Sequence, residues 1–294
     1  MVNKKILLTG ATGFLGSHLL DSFISKGFEV AILKRSFSNS WRINHIISKI
    51  KYYDIDKISL DEVFESERPD TVIHTACRYG KNNISFSDIL NTNLFFSVEL
   101  LQASINSQVS TFINTDTLLP RDINYYSLSK AQFRDWMILK SDEIKVINIK
   151  LEYIYGPHDD ENKFIPWLIN KMLKSEERIL LTEGMQKRDF IYITDVVDVF
   201  DIIMKNASRL KYCNSFDVGT NDFNTIKDLV IQISNRLQSR FNKLIVDRLD
   251  FGALNYRNGE VMIPKLDNRA LFNLGWSPKV GLNEGIDLIL DNYN

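Results

Sequence analysis

The sequence predicts an α/β fold, with a doubly wound parallel sheet and a smaller C-terminal α/β lobe. Short apolar runs alternate with segments of helical apolar spacing through the first half of the chain, which is typical of such a sheet. A glycine-rich turn joins the first apolar run to the first helical segment. The length of 294 residues is long for one compact domain and short for three, so we predict a main domain with one added lobe.

The composition is that of an ordinary globular protein, with 44% apolar residues, 25% charged residues and a formal net charge of −1. Acidic and basic residues are mixed along the chain, which indicates neither a nucleic-acid-binding nor a membrane-binding surface. No apolar run approaches the roughly 20 residues of a membrane span. The chain opens on a charged turn and a strand, so we expect no signal peptide and a cytoplasmic protein.

The two cysteines, Cys77 and Cys213, lie in apolar runs, which predicts buried thiols. The sequence has no CxxC motif and no Cys/His cluster, so we predict no metal site.

The glycine turn, Thr9-Gly10-Ala11-Thr12-Gly13-Phe14-Leu15-Gly16, follows a predicted first strand at Lys5-Ile6-Leu7-Leu8 and precedes a helix. Gly10 permits a sharp turn, Gly13 permits close approach of the backbone to a pyrophosphate, and Gly16 permits close helix–strand packing. The helix N-terminus offers unpaired N–H groups to the anion. The pattern therefore predicts a dinucleotide-binding turn, although a tight βα turn without a ligand has the same glycines.

The second predicted strand, at residues 28–33, ends in Lys34-Arg35-Ser36. In a NAD-specific fold an acidic residue at this position binds the ribose 2′-hydroxyl. Two cations and a hydroxyl suit a 2′-phosphate instead, which favours NADP(H). A solvated basic loop is the alternative interpretation.

Three further strands are predicted at residues 51–55, 71–76 and 111–114, with a helix at residues 91–103 before the last of them. Asp54 ends the first of these strands and is a candidate for reaching the adenine. His74 lies inside the second and reads as a core histidine. Thr115-Asp116-Thr117 follows the third, at the strand edge where ligands bind in such sheets.

Tyr126 and Lys130 are four residues apart in the next helical segment and therefore share one helix face. An ammonium beside a phenol favours the phenolate, so this spacing predicts a lowered pKa for Tyr126 and a role as a general acid or base. An ordinary surface pair is the alternative. Tyr125 is five residues from Lys130 and points elsewhere.

The alternation of strands and helices weakens after a sixth strand at residues 146–151. We predict that residues 1–155 plus about 189–220 form the dinucleotide-binding domain. Residues from about 156 to 188 plus 221–294 form the smaller lobe, with helices near 225–239 and 281–291.

Five motifs, in this order, resemble the extended short-chain dehydrogenases/reductases of the nucleotide-sugar epimerase/dehydratase group: TGATGFLG, YSLSK, YIYGP, QKRDFIYITDV and LGWSP. The resemblance implies a Rossmann domain with a C-terminal lobe that binds a nucleotide sugar. It implies that Thr115, Tyr126 and Lys130 form a catalytic triad. In that triad Tyr126 exchanges a proton with the sugar oxygen, Lys130 holds the nicotinamide ribose, and Thr115 hydrogen-bonds the reacting oxygen.

The same resemblance implies two sets of binding residues. The cofactor-binding positions are Gly10, Thr12, Gly13, Phe14, Leu15, Gly16, Lys34, Arg35, Asp54, Ile55, Thr75, Ala76, Asn93, Tyr126, Lys130 and Tyr153. The substrate-binding positions are Thr115, Asp116, Thr117, Arg188 and Arg257, of which the two arginines bind the nucleotide diphosphate.

The sequence also departs from the family pattern. Thr117 stands where family dehydratases carry Glu, which disfavours water elimination. The segment from Thr117 to Tyr126 is short, Tyr153 replaces a usual Asn, and Lys150 replaces a usual Arg. With the basic Lys34-Arg35 pair, these features resemble bacterial reductases of CDP-linked 3,6-dideoxyhexoses, of the CDP-abequose and CDP-paratose synthase type.

The sequence thus predicts an NADPH-dependent 4-ketoreductase of a nucleotide-linked deoxyhexose in O-antigen sugar biosynthesis. A nucleotide-sugar 4-epimerase with tightly bound NAD and a non-catalytic dinucleotide sensor are the alternatives. Apolar second faces on the helices at about 91–105 and 125–141 predict a homodimer, since such helices pair into a four-helix bundle in this family.

Overall fold

The computed structural model describes residues 5–80, 84–242 and 245–293. The charged opening turn, at residues 1–4, lies outside these ranges. Among the described helices, none has the length and hydropathy to cross a membrane.

The strands and helices of the described residues follow the predicted order. The strands are β1 (Lys5–Thr9), β2 (Glu29–Lys34), β3 (Lys51–Asp54), β4 (Thr71–His74), β5 (Thr111–Thr117), β6 (Lys145–Leu151), β7 (Tyr153–Tyr155), β8 (Ile179–Leu181), β9 (Lys187–Tyr192), β10 (Cys213–Val218), β11 (Phe223–Thr225) and β12 (Leu249–Phe251). The α-helices are α1 (Phe14–Ser25), α2 (Leu60–Glu67), α3 (Phe86–Leu90), α4 (Phe96–Asn106), α5 (Tyr125–Leu139), α6 (Phe164–Lys174), α7 (Ile193–Asn206), α8 (Ile226–Phe241), α9 (Arg269–Asn273) and α10 (Leu282–Leu290).

The main sheet has seven strands in the order β10-β6-β5-β4-β1-β2-β3, and every neighbouring pair is parallel. The chain reverses its direction of winding between β1 and β4, which is where a doubly wound sheet opens a ligand-binding crevice. The predicted doubly wound parallel sheet is therefore confirmed. Its C-terminal edge carries the glycine turn after β1 and the Thr115–Thr117 segment at the end of β5.

The central strands are buried on both faces, as their apolar runs predict. Ile6, Leu7 and Leu8 of β1 have no exposed surface, and Val72 and Ile73 of β4 are equally enclosed. One apolar cluster covers the face packed by α1 and α7, and another covers the face packed by α2, α4 and α5. The sheet is thus a rigid platform for the side chains at its edge.

The remaining strands form two small sheets beside the main one, in the orders β11-β9-β7 and β12-β8. Their apolar core also includes residues of α6, α8 and α10. The C-terminal segment contacts α7 through Asp195. The Asp195 backbone carbonyl accepts a hydrogen bond from Trp276 Nε1 at 3.0 Å, and the Asp195 carboxylate accepts hydrogen bonds from the backbone N–H groups of Lys279 and Val280.

Two details differ from the sequence interpretation. The helix predicted at 91–103 begins with a π-turn at Asn91–Phe95 and continues as α4. The prediction of buried thiols is wrong: Cys213 is exposed because it begins β10, an edge strand, and Cys77 is half-buried in the loop after β4.

Candidate active site

The glycine turn has the sterically restricted shape that its sequence predicts. Gly10 adopts a φ of +72°, and a Cβ there would lie 2.6 Å from the Ala76 backbone nitrogen. A Cβ on Gly16 would lie 2.1 Å from the Gly10 carbonyl oxygen. Helix α1 starts after Gly13 with no side-chain cap and no acidic residue in its first turn. Its first N–H groups are therefore available to an anion.

The loop after β4 forms the second wall of this crevice. Thr75 Oγ1 donates to the Thr9 carbonyl at 2.7 Å, and the Ala76 N–H donates to Thr9 Oγ1 at 3.3 Å. Asn93 is fully buried in the π-turn, and its side chain exchanges two hydrogen bonds with the backbone of Arg78. Thr75, Ala76 and Asn93 thus hold this wall against the glycine turn.

Thr115, Tyr126 and Lys130 come together where β5 and α5 meet. Lys130 is 1% exposed, and its Nζ donates to the Thr115 carbonyl oxygen at 2.8 Å. Thr115 Oγ1 donates to the His74 carbonyl at 3.1 Å. Asn124 caps α5 and fixes where Tyr126 enters the helix, one turn before Lys130. The structure therefore gathers the three predicted catalytic residues at the carboxyl edge of the sheet.

The expected lowering of the Tyr126 pKa by Lys130 is wrong for this structure. Burial, followed by the neighbouring Cys77 and Asp116, raises the pKa of the Tyr126 phenol well above its usual value. The Lys130 ammonium is directed to the Thr115 carbonyl rather than to the phenol. Tyr126 is accordingly protonated at neutral pH and has a proton to donate.

An aromatic and charged cluster that the sequence interpretation missed surrounds Tyr126. The Tyr79 ring lies 5.0 Å from the Tyr126 ring, and Lys163 Nζ lies 3.6 Å from the centre of the Tyr79 ring. Asp159 is nearby, and burial raises the pKa of its carboxyl to about 6. Tyr79 follows β4, and the other two residues follow the YIYGP motif, so only the fold brings them beside Tyr126.

Asp116, a predicted substrate contact, is turned into the protein. It is 3% exposed, its Oδ2 lies 3.0 Å from Arg134 NH1, and that oxygen also accepts a hydrogen bond from Asn148 at 2.8 Å. Its Oδ1 accepts from the N–H of Thr117, which is buried as well. These contacts join β5, β6 and α5, so Asp116 supports the position of α5.

The end of β2 differs from what the sequence alone suggests. The register of β2 and β3 places Lys34 opposite Asp54, and their side chains form an ion pair at 2.5 Å. Ser36 donates to Asp56 at 2.5 Å. The segment Lys34-Arg35-Ser36 contains no acid, and the sequence interpretation took the nearest acids to be Asp21 and Glu29; that interpretation is wrong, because Asp54 and Asp56 lie beside the strand end. The ion pair also holds Asp54, the predicted adenine contact.

Arg35 is the basic residue at this edge that forms no ion pair among the described residues, and its half-buried guanidinium lies 4.9 Å from the centre of the Phe37 ring. Burial, and then the charge of Arg78, lower the pKa of Arg35, although the charge of Asp56 opposes the shift. A guanidinium without an ion pair is able to bind an anion. Arg78 was missed because it follows β4, far from Arg35 in the sequence.

The other predicted cofactor positions make contacts within the protein. Phe14 and Leu15 are half-buried and pack against the apolar core of the smaller sheets. The Ile55 N–H donates to the Lys34 carbonyl. Thr12 accepts a 3.5 Å hydrogen bond from Arg42, which also pairs with Asp160. Arg42 therefore joins the glycine turn to the loop after β7.

A cavity of about 240 Å³ opens at the carboxyl ends of β5 and β6. Most of its wall is apolar, formed by Leu118, Leu119, Pro120, Val261, Ile263 and Pro264. Glu152, Tyr153, Arg188 and Lys265 complete the wall.

The two arginines predicted to bind a diphosphate differ in exposure, and Arg188 lies in the wall of this cavity. Arg188 is 7% exposed, pairs with Glu260, donates to the Val261 carbonyl at 2.7 Å, and lies 5.3 Å from the Tyr153 ring centre. Arg257 is exposed on the segment that carries Glu260. The Arg188 guanidinium thus also fastens that segment over the cavity.

Comparison with known proteins agrees with this geometry. A model of the NAD dependent epimerase/dehydratase family matches residues 6–219. CDP-abequose synthases of Salmonella muenchen and Salmonella typhimurium are 32% and 28% identical, over 98% of this chain and 98% of theirs. The structure of UDP-glucose 4-epimerase from Thermotoga maritima with UDP-glucose has a TM-score of 0.83 at 24% identity, over 98% of each chain. The chain therefore belongs to the NAD-dependent epimerase/dehydratase family, and its fold is that of an extended short-chain dehydrogenase/reductase.

The crevice fits the dinucleotide that this family uses. The close contacts at Gly10 and Gly16 exclude side chains and keep the turn tight, and the N-terminus of α1 presents N–H groups without a side-chain cap there. Gly10, Gly13 and the α1 N-terminus would hold the pyrophosphate.

We predict that Gly16→Ala weakens binding of a nicotinamide dinucleotide. The new methyl group would overlap the Gly10 carbonyl, so the turn must open. Overpacking of this kind costs about 1–3 kcal/mol, which corresponds to an about ten- to hundredfold higher Kd. The Kd is measured by fluorescence titration with NADPH. Gly281→Ala is the control, because a Cβ there meets no atom within 4 Å. Unchanged binding by the Gly16 variant would contradict the assignment.

Proposed function

We propose that this protein reduces the 4-keto group of a nucleotide-linked 4-keto-6-deoxyhexose or 4-keto-3,6-dideoxyhexose with NADPH, as a step in surface-polysaccharide sugar biosynthesis. The observation that carries the proposal is the assembly of Thr115, Tyr126 and the buried Lys130 beside the glycine crevice. The similarity to the CDP-abequose synthases over nearly the whole chain supports the substrate class. The largely apolar cavity next to this assembly suits a sugar that has lost hydroxyl groups.

The proposed residues divide the reaction between them. When bound, the reduced dinucleotide supplies the hydride for sugar C4 and is itself oxidised. Tyr126 donates its phenolic proton to O4, so that the ketone becomes an alcohol, and solvent returns the proton. The Thr115 hydroxyl would turn from the His74 carbonyl to the carbonyl oxygen of the substrate, which it would orient and whose developing negative charge it would stabilise. Lys130 would hold the ribose hydroxyls with the ammonium hydrogens that are not donated to the Thr115 carbonyl.

Two features favour reduction over the alternatives. Thr117 is buried and carries no acid, so the water elimination of a dehydratase lacks its Glu. The Arg35 guanidinium, which forms no ion pair among the described residues, suits a 2′-phosphate, and NADPH is the donor that a net reduction consumes. A non-catalytic sensor would not need a buried lysine and a protonated tyrosine at the same edge.

A nucleotide-sugar 4-epimerase with bound NAD is the second candidate. One observation favours it: Asp54 and Asp56 lie beside the end of β2, where a carboxylate binds an unphosphorylated ribose. In either case we assign residues 1–155 plus about 189–220 to cofactor binding. The remaining residues, from about 156 to 188 and from 221 to 294, are assigned to the nucleotide sugar and include Arg188 and Arg257.

We predict that Tyr126→Phe abolishes most turnover while NADPH binding is retained. The substitution keeps the ring and removes only the acidic proton, and loss of a general acid costs about 10²–10⁴-fold in rate. The turnover rate is measured as NADPH oxidation in the presence of a panel of nucleotide 4-keto sugars. Tyr125→Phe is the matched control, since that neighbouring ring is 65% exposed. Near-normal turnover of the Tyr126 variant would show that another group is the acid.

We predict a preference for NADPH over NADH that depends on Arg35. One charge-assisted hydrogen bond to the 2′-phosphate contributes about 1.5–3 kcal/mol, an about ten- to hundredfold difference in Kd. Arg35→Ala should weaken NADPH binding and leave NADH binding unchanged. Lys34→Ala should change the preference less, because Asp54 already holds that ammonium. Equal affinity of the unmodified protein for both dinucleotides would favour the epimerase.

We also propose a homodimer, and predict that it forms through α5 and the helical stretch at 86–106. Large apolar side chains are exposed on these elements, at Phe86, Phe95, Tyr125, Trp136, Ile138 and Leu139. Sedimentation at micromolar concentration should show a dimer, and Leu139→Lys combined with Phe95→Lys should shift it to monomer. Leu180→Lys, an exposed apolar residue of β8, is the control. A monomeric unmodified protein would overturn the proposal.

A further inference from the structure

The carboxyl group of Glu152 is the acidic group in the wall of the cavity at the ends of β5 and β6. Glu152 lies between β6 and β7, and its backbone N–H donates to the Val218 carbonyl. Its Oε2 atom is buried and has no hydrogen-bond partner. A buried carboxyl oxygen without a partner costs free energy, which a ligand with a hydroxyl group would recover.

The charged groups packed around Glu152 are committed to other partners. From β9, the Asp189 carboxylate accepts hydrogen bonds from Thr220 and Asn221, and Arg188 pairs with Glu260.

From β10 and β6, Asp217 and Lys150 form an ion pair at 2.5 Å. Lys265, on the opposite wall of the cavity, is exposed. Glu152 therefore has two carboxylates near it and no ion pair of its own among the described residues. Burial, and then the charge of Asp189, raise the pKa of the Glu152 carboxyl to about 8 although Arg188 opposes the shift.

Glu152 lies close to the strand edge at which the sugar is proposed to react. Thr117 of β5 pairs with Leu151 of β6, so Glu152 and Leu118 lie side by side, one residue beyond this pair. Two residues earlier, β5 carries Thr115. The cavity is thus continuous with the strand edge at which the ketone is proposed to react.

We propose that Glu152 is a specificity-determining residue that binds, as a neutral carboxylic acid, a hydroxyl group of the hexose. This inference rests on the proposed function. A carboxylic acid can donate one hydrogen bond and accept others, which matches a hydroxyl group. Its neutral form also places no additional negative charge beside the diphosphate of the substrate. A ligand that covers Glu152 removes its remaining water, so the complex favours the neutral form and binding at high pH takes up a proton.

The test measures binding rather than turnover, by calorimetry from pH 6.5 to 9.5 with CDP-glucose and with CDP, which lacks the sugar. For the unmodified protein, the Kd for CDP-glucose should rise about tenfold per pH unit above pH 8, whereas the Kd for CDP changes much less. Glu152→Gln keeps a donor and an acceptor without a titratable proton, so it should flatten this rise and retain binding at pH 7. Glu152→Leu should raise the Kd for CDP-glucose about tenfold at pH 7 and leave the Kd for CDP unchanged.

Glu183→Gln, an exposed glutamate of the same lobe, is the control variant. The inference is overturned if the Gln variant keeps the pH dependence of the unmodified protein, or if the Leu variant weakens CDP and CDP-glucose equally. Those outcomes leave the proposed function standing. If the unmodified protein binds neither CDP-glucose nor the corresponding UDP-glucose and dTDP-glucose, the proposed substrate class and this inference both fail.

Discussion

The buried ammonium of Lys130 is the constraint on which the carboxyl edge of the sheet depends. Removing such a charge from water costs several kcal/mol unless polar groups replace the water. The Thr115 carbonyl supplies one such group at 2.8 Å, which ties α5 to β5. Burial, followed by the charge of Lys130, lowers the pKa of His74 well below its usual value, so that His74 is neutral.

Neutral His74 extends this constraint to the glycine turn. Ser97 Oγ donates to the Asn93 carbonyl, so the 2.8 Å contact with His74 is donated by the ring Nε2. His74 Nδ1 then accepts from Thr9 Oγ1 at 2.7 Å, and Thr9 in turn precedes Gly10. One hydrogen-bonded network therefore connects helix α5 with the glycine turn. Its members are fixed together because none of these buried groups can lose its partner without cost.

Features set by local geometry were predictable from the sequence, and features set by contacts between distant strands were not. Periodicity and glycine spacing predict the parallel sheet, the turn at Gly10 and the placement of Tyr126 and Lys130 on one helix. The pairing of Lys34 with Asp54 depends on the β2–β3 register, which the sequence does not reveal. The pKa of Tyr126 was predicted with the wrong sign because spacing on a helix does not reveal burial or the competing Thr115 carbonyl.

The same reasoning separates the groups that hold the edge together from those left for a ligand. Asp116 and Asn93 are polar residues at strand and helix ends, as a ligand contact would be, yet partners inside the protein satisfy them. Glu152 has a buried oxygen without a partner, and Arg35 forms no ion pair among the described residues. A folded protein retains such groups at a free-energy cost, which is reasonable where a ligand supplies what is missing. Glu152 lines the cavity at the ends of β5 and β6, and Arg35 follows the end of β2, so under the proposed function the two groups would meet opposite ends of the reaction complex.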